Sequence, residues 1–343
     1  MGKRGIVHEK WLIMTLTAYV TGASGFVGSN LVRELHRQGW QIHVLVRSSS
    51  SLDDIADLPM TVHRGDIVNS ASVRDSMPSG VDAVFHVAAS TNVWSGNNDN
   101  QDRINIGGTR DVIEAAVAAQ AGRLIHTSSF TTWGFQDVML TEHSPRTAAT
   151  DWINYVRTKY IAQQLVEEAV RSGRVDAVIV NPGHILGPGD RRNWSRMISL
   201  VNEEKLPGVP SGSGPFADVR EVAKAQIQAF HKGESGEKYL LGGEIVSFLE
   251  VIQITGELLG KRVPGKPTPA WVMKAAARVY ALLSRMTGKE PDLTPESAAM
   301  ITQNLLCDSS RAQRELDYRF TPIRPLVRET IDWMRNSGML EQM

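Results

Sequence analysis

A single cysteine, Cys307, in 343 residues excludes an internal disulfide and fits a reducing compartment, its ordinary reading being a small buried apolar side chain. Neither sign of charge is in excess. With 37 basic and 37 acidic residues the chain has no global field to draw it to nucleic acid or anionic lipid, and a small-molecule partner is expected. No run approaches the ~18 to 20 apolar residues that a membrane span requires. A secretory leader needs ~7 or more uninterrupted apolar residues, and Glu9 and Lys10 break the short stretch before Ile13. Internal repeats, low-complexity tracts and metal-ligand clusters are also missing. The expectation is a soluble, cytoplasmic chain without a metal. Residues 1–13, basic at Lys3 and Arg4, read as a disordered or loosely docked extension with Met14 as an alternative start.

The informative stretch runs from Thr15 to Gly28. Residues with β propensity (Thr15, Thr17, Tyr19, Val20) lead into Gly22, Gly25 and Gly28, and Val27, Leu31 and Leu35 then recur at helical spacing. This is strand, tight turn and helix. Such a turn suits a phosphate: backbone without Cβ atoms approaches a pyrophosphate closely, and the helix N-terminus presents N–H groups to its charge.

Strand and helix then alternate. Gln41–Val46 is apolar enough for a buried parallel strand and ends at Arg47; further strands read at Met60–His63, Asp82–Ala89, Arg123–Ser128 and Val175–Val180. Helices are expected over Ile104–Gln120 and from a cap at Thr150 or Asp151 to Gly173. Crossover helices between such strands imply an α/β fold, a Rossmann-type doubly wound parallel sheet with its ligand at the carboxyl ends of the strands. Gly22, Arg47, Asp66, Ala88, Ser129 and Pro182 all fall at such ends. An acid after the second strand binds ribose hydroxyls, whereas an arginine accommodates a 2′-phosphate, so Arg47 argues for NADP(H) over NAD(H). Past Gly183 the rhythm breaks into loops, a helix near Trp194–Asn202, another over Val219–Phe230, a returning strand at Lys238–Leu241 and a helical tail ending in Leu326–Asn336. At ~150 residues per domain the length suggests about two. Residues 14–184 with 216–246 are assigned to dinucleotide binding, and 185–215 with 247–343 to a smaller, mainly helical substrate domain.

Tyr155 and Lys159 lie one turn apart on a helix, and Ser129 ends the preceding strand. A phenol with a pKa of ~10 carries protons poorly at neutral pH, and a nearby ammonium lowers that value. Ser129 would then orient a substrate oxygen and Tyr155 would protonate it. A cleft with Trp94, Phe130, Trp133, His184 and Trp194 on its loops suits a lipophilic substrate. His184 reads equally as structural, and Arg191 and Arg192 either bind an acidic group or are simply solvated.

Together these residues make the chain resemble an extended short-chain dehydrogenase/reductase. Thr-Gly-x-x-Gly-x-x-Gly is Thr21 to Gly28, the adenine-contacting Asp is Asp66, Tyr-x-x-x-Lys is Tyr155 to Lys159, and Asn-x-x-Gly-Thr is Asn105 to Thr109. Asn181-Pro182 to Gly187-Pro188 fits as well, and Trp133-Gly134 stands where relatives have Tyr-Gly. The tail around Asp308 to Glu315 is similar to the subgroup of dihydroflavonol 4-reductases and 3β-hydroxysteroid dehydrogenases. Phe130-Thr131-Thr132 replaces the Asp-Glu pair of nucleotide-sugar dehydratases. The resemblance implies Ser129, Tyr155, Lys159 and Asn105 as catalytic. It implies a cofactor site of Gly22, Ser24, Gly25, Phe26, Val27 and Gly28, then Arg47, Asp66 and Ile67. Ala88, Ala89, Ser90, Thr127, Pro182, Gly183 and Ile185 complete that site beside Tyr155 and Lys159. It also implies a homodimer through the helices of Ile104 and Trp152. The activity expected is NADPH-dependent reduction of a bulky hydrophobic ketone or aldehyde. A steroid-type dehydrogenase working in oxidation, a nucleotide-sugar epimerase and a non-catalytic NADP(H) sensor remain as alternatives. Finally, Ala270–Gly288 sets Lys274, Arg278 and Arg285 on one face of an apolar helix, which either lies on a membrane surface or packs over the substrate site. Packing over the site is the plainer expectation.

Overall fold

The computed structural model of the protein describes residues 15–341; the extension expected over residues 1–13 and the start at Met14 lie outside the described residues. The first half alternates β1 (Thr17–Thr21), α1 (Phe26–Arg37), β2 (Gln41–Val46), β3 (Thr61–Arg64), α2 (Ser70–Ser76) and β4 (Ala83–His86). Then come α3 (Asn98–Asp102), a π-helical turn over Arg103–Gly107, α4 (Gly108–Ala118), β5 (Arg123–Thr127), β6 (Met139–Leu140), α5 (Asn154–Arg171) and β7 (Ala177–Pro182). The second half runs β8 (His184–Leu186), α6 (Trp194–Asn202), β9 (Ser213–Asp218), α7 (Val219–Lys232), β10 (Lys238–Leu241), β11 (Glu244–Ser247), α8 (Phe248–Leu259) and α9 (Ala270–Thr287). It closes with α10 (Pro295–Met300), β12 (Leu306–Cys307), α11 (Ser310–Glu315) and α12 (Ile323–Asn336).

Seven strands form one sheet in the order β10-β7-β5-β4-β1-β2-β3, and every pairing is parallel. Both faces are covered, so β4 and β7 are buried at every residue, as their apolar sequences require. One core packs Leu31, Val32 and Leu35 of α1 and Val222 of α7 on the sheet; the opposite core packs Val112 and Ile113 of α4 and Val166 of α5. The chain leaves β1 toward β2 and β3, then returns to the far side of β1 as β4. That reversal opens a crevice at the carboxyl ends of β1 and β4. A third core joins α6, α8 and α12 around Phe216 of β9, with β8, β9 and β11 as a small sheet of their own.

Two local expectations are revised. The long helix after β4 is interrupted by the π-helical turn, which turns Asn105 inward. The helix carrying Tyr155 starts at Asn154 rather than at a Thr150 or Asp151 cap; Asp151 instead accepts the Ile153 N–H at 2.8 Å, fixing the turn before it. Among the described residues no helix is long and apolar enough to cross a membrane.

Candidate active site

The glycine turn is shaped by contact. Gly22 sits at φ +74, and a Cβ there would lie 2.6 Å from the Ala88 amide nitrogen; a Cβ at Gly28 would lie 2.0 Å from the Gly22 carbonyl oxygen. Both positions therefore admit only glycine. Gly25 is the N-cap of α1, and the first turn of that helix holds neither a side-chain cap nor an acid. Ser24, Phe26 and Val27 are half-buried at this edge. A helix start without its own anion, facing a cradle that a methyl group would fill, fits a dinucleotide pyrophosphate. Asn30 of α1 donates to the Pro188 carbonyl at 3.0 Å, tying the turn to the loop after β8.

Around this turn the strand ends hold the other residues expected at a cofactor. Asp66 lies two residues past β3 and accepts the Val68 N–H at 3.3 Å; Ile67 packs where a Cβ at Gly108 would meet it at 2.7 Å. Ala88 donates its N–H to Thr21 Oγ1 at 3.3 Å, and Ala89 follows it, half-buried. Pro182 pairs with Leu241, Gly183 donates to the Leu241 carbonyl at 3.0 Å, and Ile185 pairs with Ala217. Arg47 is exposed at the end of β2. Arg64, which the sequence reading passed over, donates to the carbonyls of Arg47 at 3.0 Å and Ser50 at 3.2 Å, so two arginines share that strand end.

Beneath the crevice runs a chain of buried hydrogen bonds. Thr109 donates its hydroxyl to the Asn105 carbonyl at 2.7 Å, so its oxygen accepts from His86 Nε2 at 3.0 Å. His86 Nδ1 must then accept the Thr21 hydroxyl at 2.8 Å, which defines a neutral ring protonated on Nε2. Burial and the Lys159 charge hold His86 at a pKa of about 3. Beside it, 5.3 Å between ring centroids, His126 is buried with neither ring nitrogen partnered, and burial keeps it neutral too.

Asn105 was expected among the catalytic groups, but its side chain is fully committed elsewhere. Its oxygen accepts the Ser90 N–H at 2.7 Å, and its amide donates to the Ser90 carbonyl and to Thr158 Oγ1, both at 3.0 Å. It clamps the loop after β4 to α5, a positioning role. Thr127 divides likewise: its hydroxyl donates to Gln226 of α7 at 2.8 Å, while its carbonyl accepts Lys159 Nζ at 2.8 Å. Lys159 is buried, and desolvation brings it down to about 8, so it stays charged at neutral pH.

Ser129 and Tyr155 face each other. Burial raises the phenol above its ordinary value, and hydrogen bonding to Ser129 works in the opposite direction. The lowering influence expected from Lys159 is not the one that acts, because its ammonium is turned to the Thr127 carbonyl. Thr131, known from the sequence only as part of the stretch that replaces an Asp-Glu pair, organises Ser129 and Tyr155. Its N–H at 3.2 Å and its hydroxyl at 2.9 Å both donate to Ser129 Oγ, leaving the Ser129 proton free to point at Tyr155. Behind it, Asn181 donates to the Ser129 carbonyl at 2.9 Å.

Past β7 stands an aromatic wall around His184, in which Phe130, Phe216 and Phe248 are buried. His184 packs against Phe130, Phe216 and Phe248 at 5.5, 5.5 and 5.2 Å between centroids, and Trp194 meets Phe216 at 4.7 Å. Burial holds His184 down to about 4, and its Nε2 has no partner. Trp94 lies over Gly96 on the loop opposite. Trp133 is corrected: it is fully buried with Leu140, Leu240 and Cys307, a core residue rather than a cleft residue, because its 3₁₀ turn points inward. Arg191, read as an acid binder or as solvated, is half-exposed and paired with Asp54 at 2.7 Å beside the Trp333 ring at 5.4 Å. Cys307 is buried, its thiol pushed up to about 12, as a structural cysteine should be.

Comparison with known proteins adds four findings. The family model described as NAD dependent epimerase/dehydratase matches residues 18–242. A Synechocystis protein provisionally named dihydroflavonol 4-reductase is 30% identical, the match covering 96% of this chain and 98% of that one. "Sterol demethylase protein B" of Methylococcus capsulatus is 31% identical over 95% of this chain and 100% of its own. Among solved structures, the crystal structure of gox2253 superposes with a TM-score of 0.82 at 30% identity, covering 95% of this chain and 99% of that one.

Proposed function

Since the chain belongs to the NAD dependent epimerase/dehydratase family, among the extended short-chain dehydrogenases/reductases and their dihydroflavonol 4-reductase-like members, we propose that it is a cytoplasmic NADPH-dependent reductase of bulky hydrophobic ketones or aldehydes. The observation that carries this reading is the direction of the hydroxyl chain. Thr131 makes Ser129 an acceptor twice over, which leaves the Ser129 hydroxyl proton uncommitted on the side where the serine influences Tyr155. A phenol held above its ordinary pKa is present as the acid, the form that a reduction needs.

A bound reduced nicotinamide supplies the hydride. The chain's own residues do the remainder. Gly22 and Gly28 let the backbone close on the pyrophosphate, and Arg47 with Arg64 offers two guanidinium groups to a 2′-phosphate. Tyr155 protonates the substrate oxygen, and Lys159, one turn along α5 and charged at neutral pH, fixes the end of β5 through the Thr127 carbonyl. His184 and Trp194, edge to face at 6.3 Å, offer an apolar face to the substrate's bulk. The sterol-related name of one relative supports a lipophilic substrate.

A panel of hydrophobic and polar ketones and aldehydes, assayed with NADPH and NADH side by side, tests this. The expected result is NADPH consumption strongest with bulky apolar carbonyls. Purification with retained NAD, together with isomerisation of a sugar nucleotide and no net cofactor consumption, would replace it by an epimerase.

A further inference from the structure

α9 departs from the other helices in what it leaves uncovered. Its buried residues are Met273, Ala277 and Ser284, a strip spanning about 40° of the helix at 100° per residue. On the opposite side Trp271, Val279, Leu282 and Met286 are 73, 58, 62 and 82% exposed. Six of the twelve exposed large apolar side chains among the described residues belong to this one helix, which is a patch rather than scatter. The expectation that this face packs over the substrate site is therefore not what the structure shows.

The charges are arranged to match. Ala270–Thr287 contains no acid, and Lys274, Arg278 and Arg285 form a stripe in the seam between the buried strip and the open apolar face. The nearest acids beyond its end are engaged elsewhere: Glu290 accepts from Asn92 at 2.8 Å and Asp292 pairs with Arg196 at 2.6 Å. The stripe is thus left with uncompensated charge, in a chain whose net charge is zero. A second copy would bring the same apolar residues and the same cations, with no acid to meet them. An anionic lipid surface offers both an apolar layer and phosphates at the depth where flanking Lys and Arg heads emerge.

We propose that α9 docks the protein on an anionic bilayer surface, lying flat with Trp271, Val279, Leu282 and Met286 entering the boundary layer and Lys274, Arg278 and Arg285 on lipid phosphates. The helix continues into a segment tied to the cleft rim, where Thr294 donates to the Val93 carbonyl at 3.1 Å beside the Asn92–Glu290 contact. Docking would hold that rim toward the lipid. The inference is independent of which carbonyl is reduced.

Co-sedimentation of the full chain with phosphatidylcholine vesicles, with and without phosphatidylglycerol, reads it directly. The protein should pellet with anionic vesicles, weakly with neutral ones, and be released by salt. Leu282→Glu with Met286→Glu should abolish binding, and Gln at Lys274, Arg278 and Arg285 should weaken it roughly fivefold per cation. Trp271→Ala, a truncation of an exposed side chain, should weaken it with the thermal midpoint unchanged, which separates docking from misfolding. Wild-type protein remaining in the supernatant at low salt would overturn the proposal. So would unaltered binding by the double Glu variant, or a self-association abolished by that variant in protein that never bound vesicles.

Discussion

The two sides of the cleft are built from opposite materials. On the side of Ser129, Thr21, His86, Thr109 and Asn105 form an unbroken run of hydrogen bonds, and Thr131 and Asn181 fix Ser129 from two directions. On the other side His184, Trp194, Phe216 and Phe248 meet ring to ring, and the buried nitrogen there, His184 Nε2, has no partner. Hydrogen bonds fix direction, so the first side can aim a proton. Ring contacts fix shape, so the second can only select bulk. Changes to the polar side should appear in kcat, and changes to the aromatic wall in KM.

The sharpest break would come at Tyr155. Tyr155→Phe should lower kcat by about 10²- to 10⁴-fold with NADPH affinity retained, by steady-state kinetics and cofactor titration. A change confined to KM would erase the distinction between the two sides. Wild-type turnover should also fall above about pH 8, as Lys159 loses its proton.

Acid should strain both sides at once. His86 and His184 are held neutral at about 3 and about 4, below the ordinary 6.5. The unfolded chain binds more protons between these values and 6.5, so stability is present above that window and is lost as pH falls through it. Moving from pH 7 to pH 5 should remove about 2 kcal/mol for each, measured by denaturant unfolding. His184→Leu should cancel the share of the wall and leave that of the polar side.

Smaller effects refine the contrast. Thr131→Val should reduce kcat about tenfold with little change in KM, because it frees the Ser129 rotor without touching the wall. Trp194→Ala should do the reverse, raising KM roughly tenfold for bulky apolar carbonyls and less for small ones. Arg47→Ala with Arg64→Ala should narrow the NADPH over NADH preference by about tenfold, by the ratio of kcat/KM values.

The polar side was the more legible in the sequence, because its residues sit on contiguous stretches with strong local signals. Gly22 to Gly28 and Tyr155 to Lys159 are each a few residues long, and strand ends in a parallel sheet converge by topology alone. The roles of Thr131 and Arg64 were not legible because each acts through two hydrogen bonds that composition does not mark. Asn105 was marked in the sequence, but only the π-helical turn shows where its amide goes.

What the sequence determined by itself was the alternation of buried strands and amphipathic helices, the phosphate turn, and which side chains could carry chemistry. Those follow from periodicity and from the steric freedom of glycine, which act over a few residues. Tertiary structure alone decided how two tryptophans differ: Trp133 is sealed in a core, and Trp194 is only partly buried against Phe216. It also decided that the apolar face of α9 stays open. Burial depends on what packs against a residue from distant parts of the chain, and no local pattern contains that information.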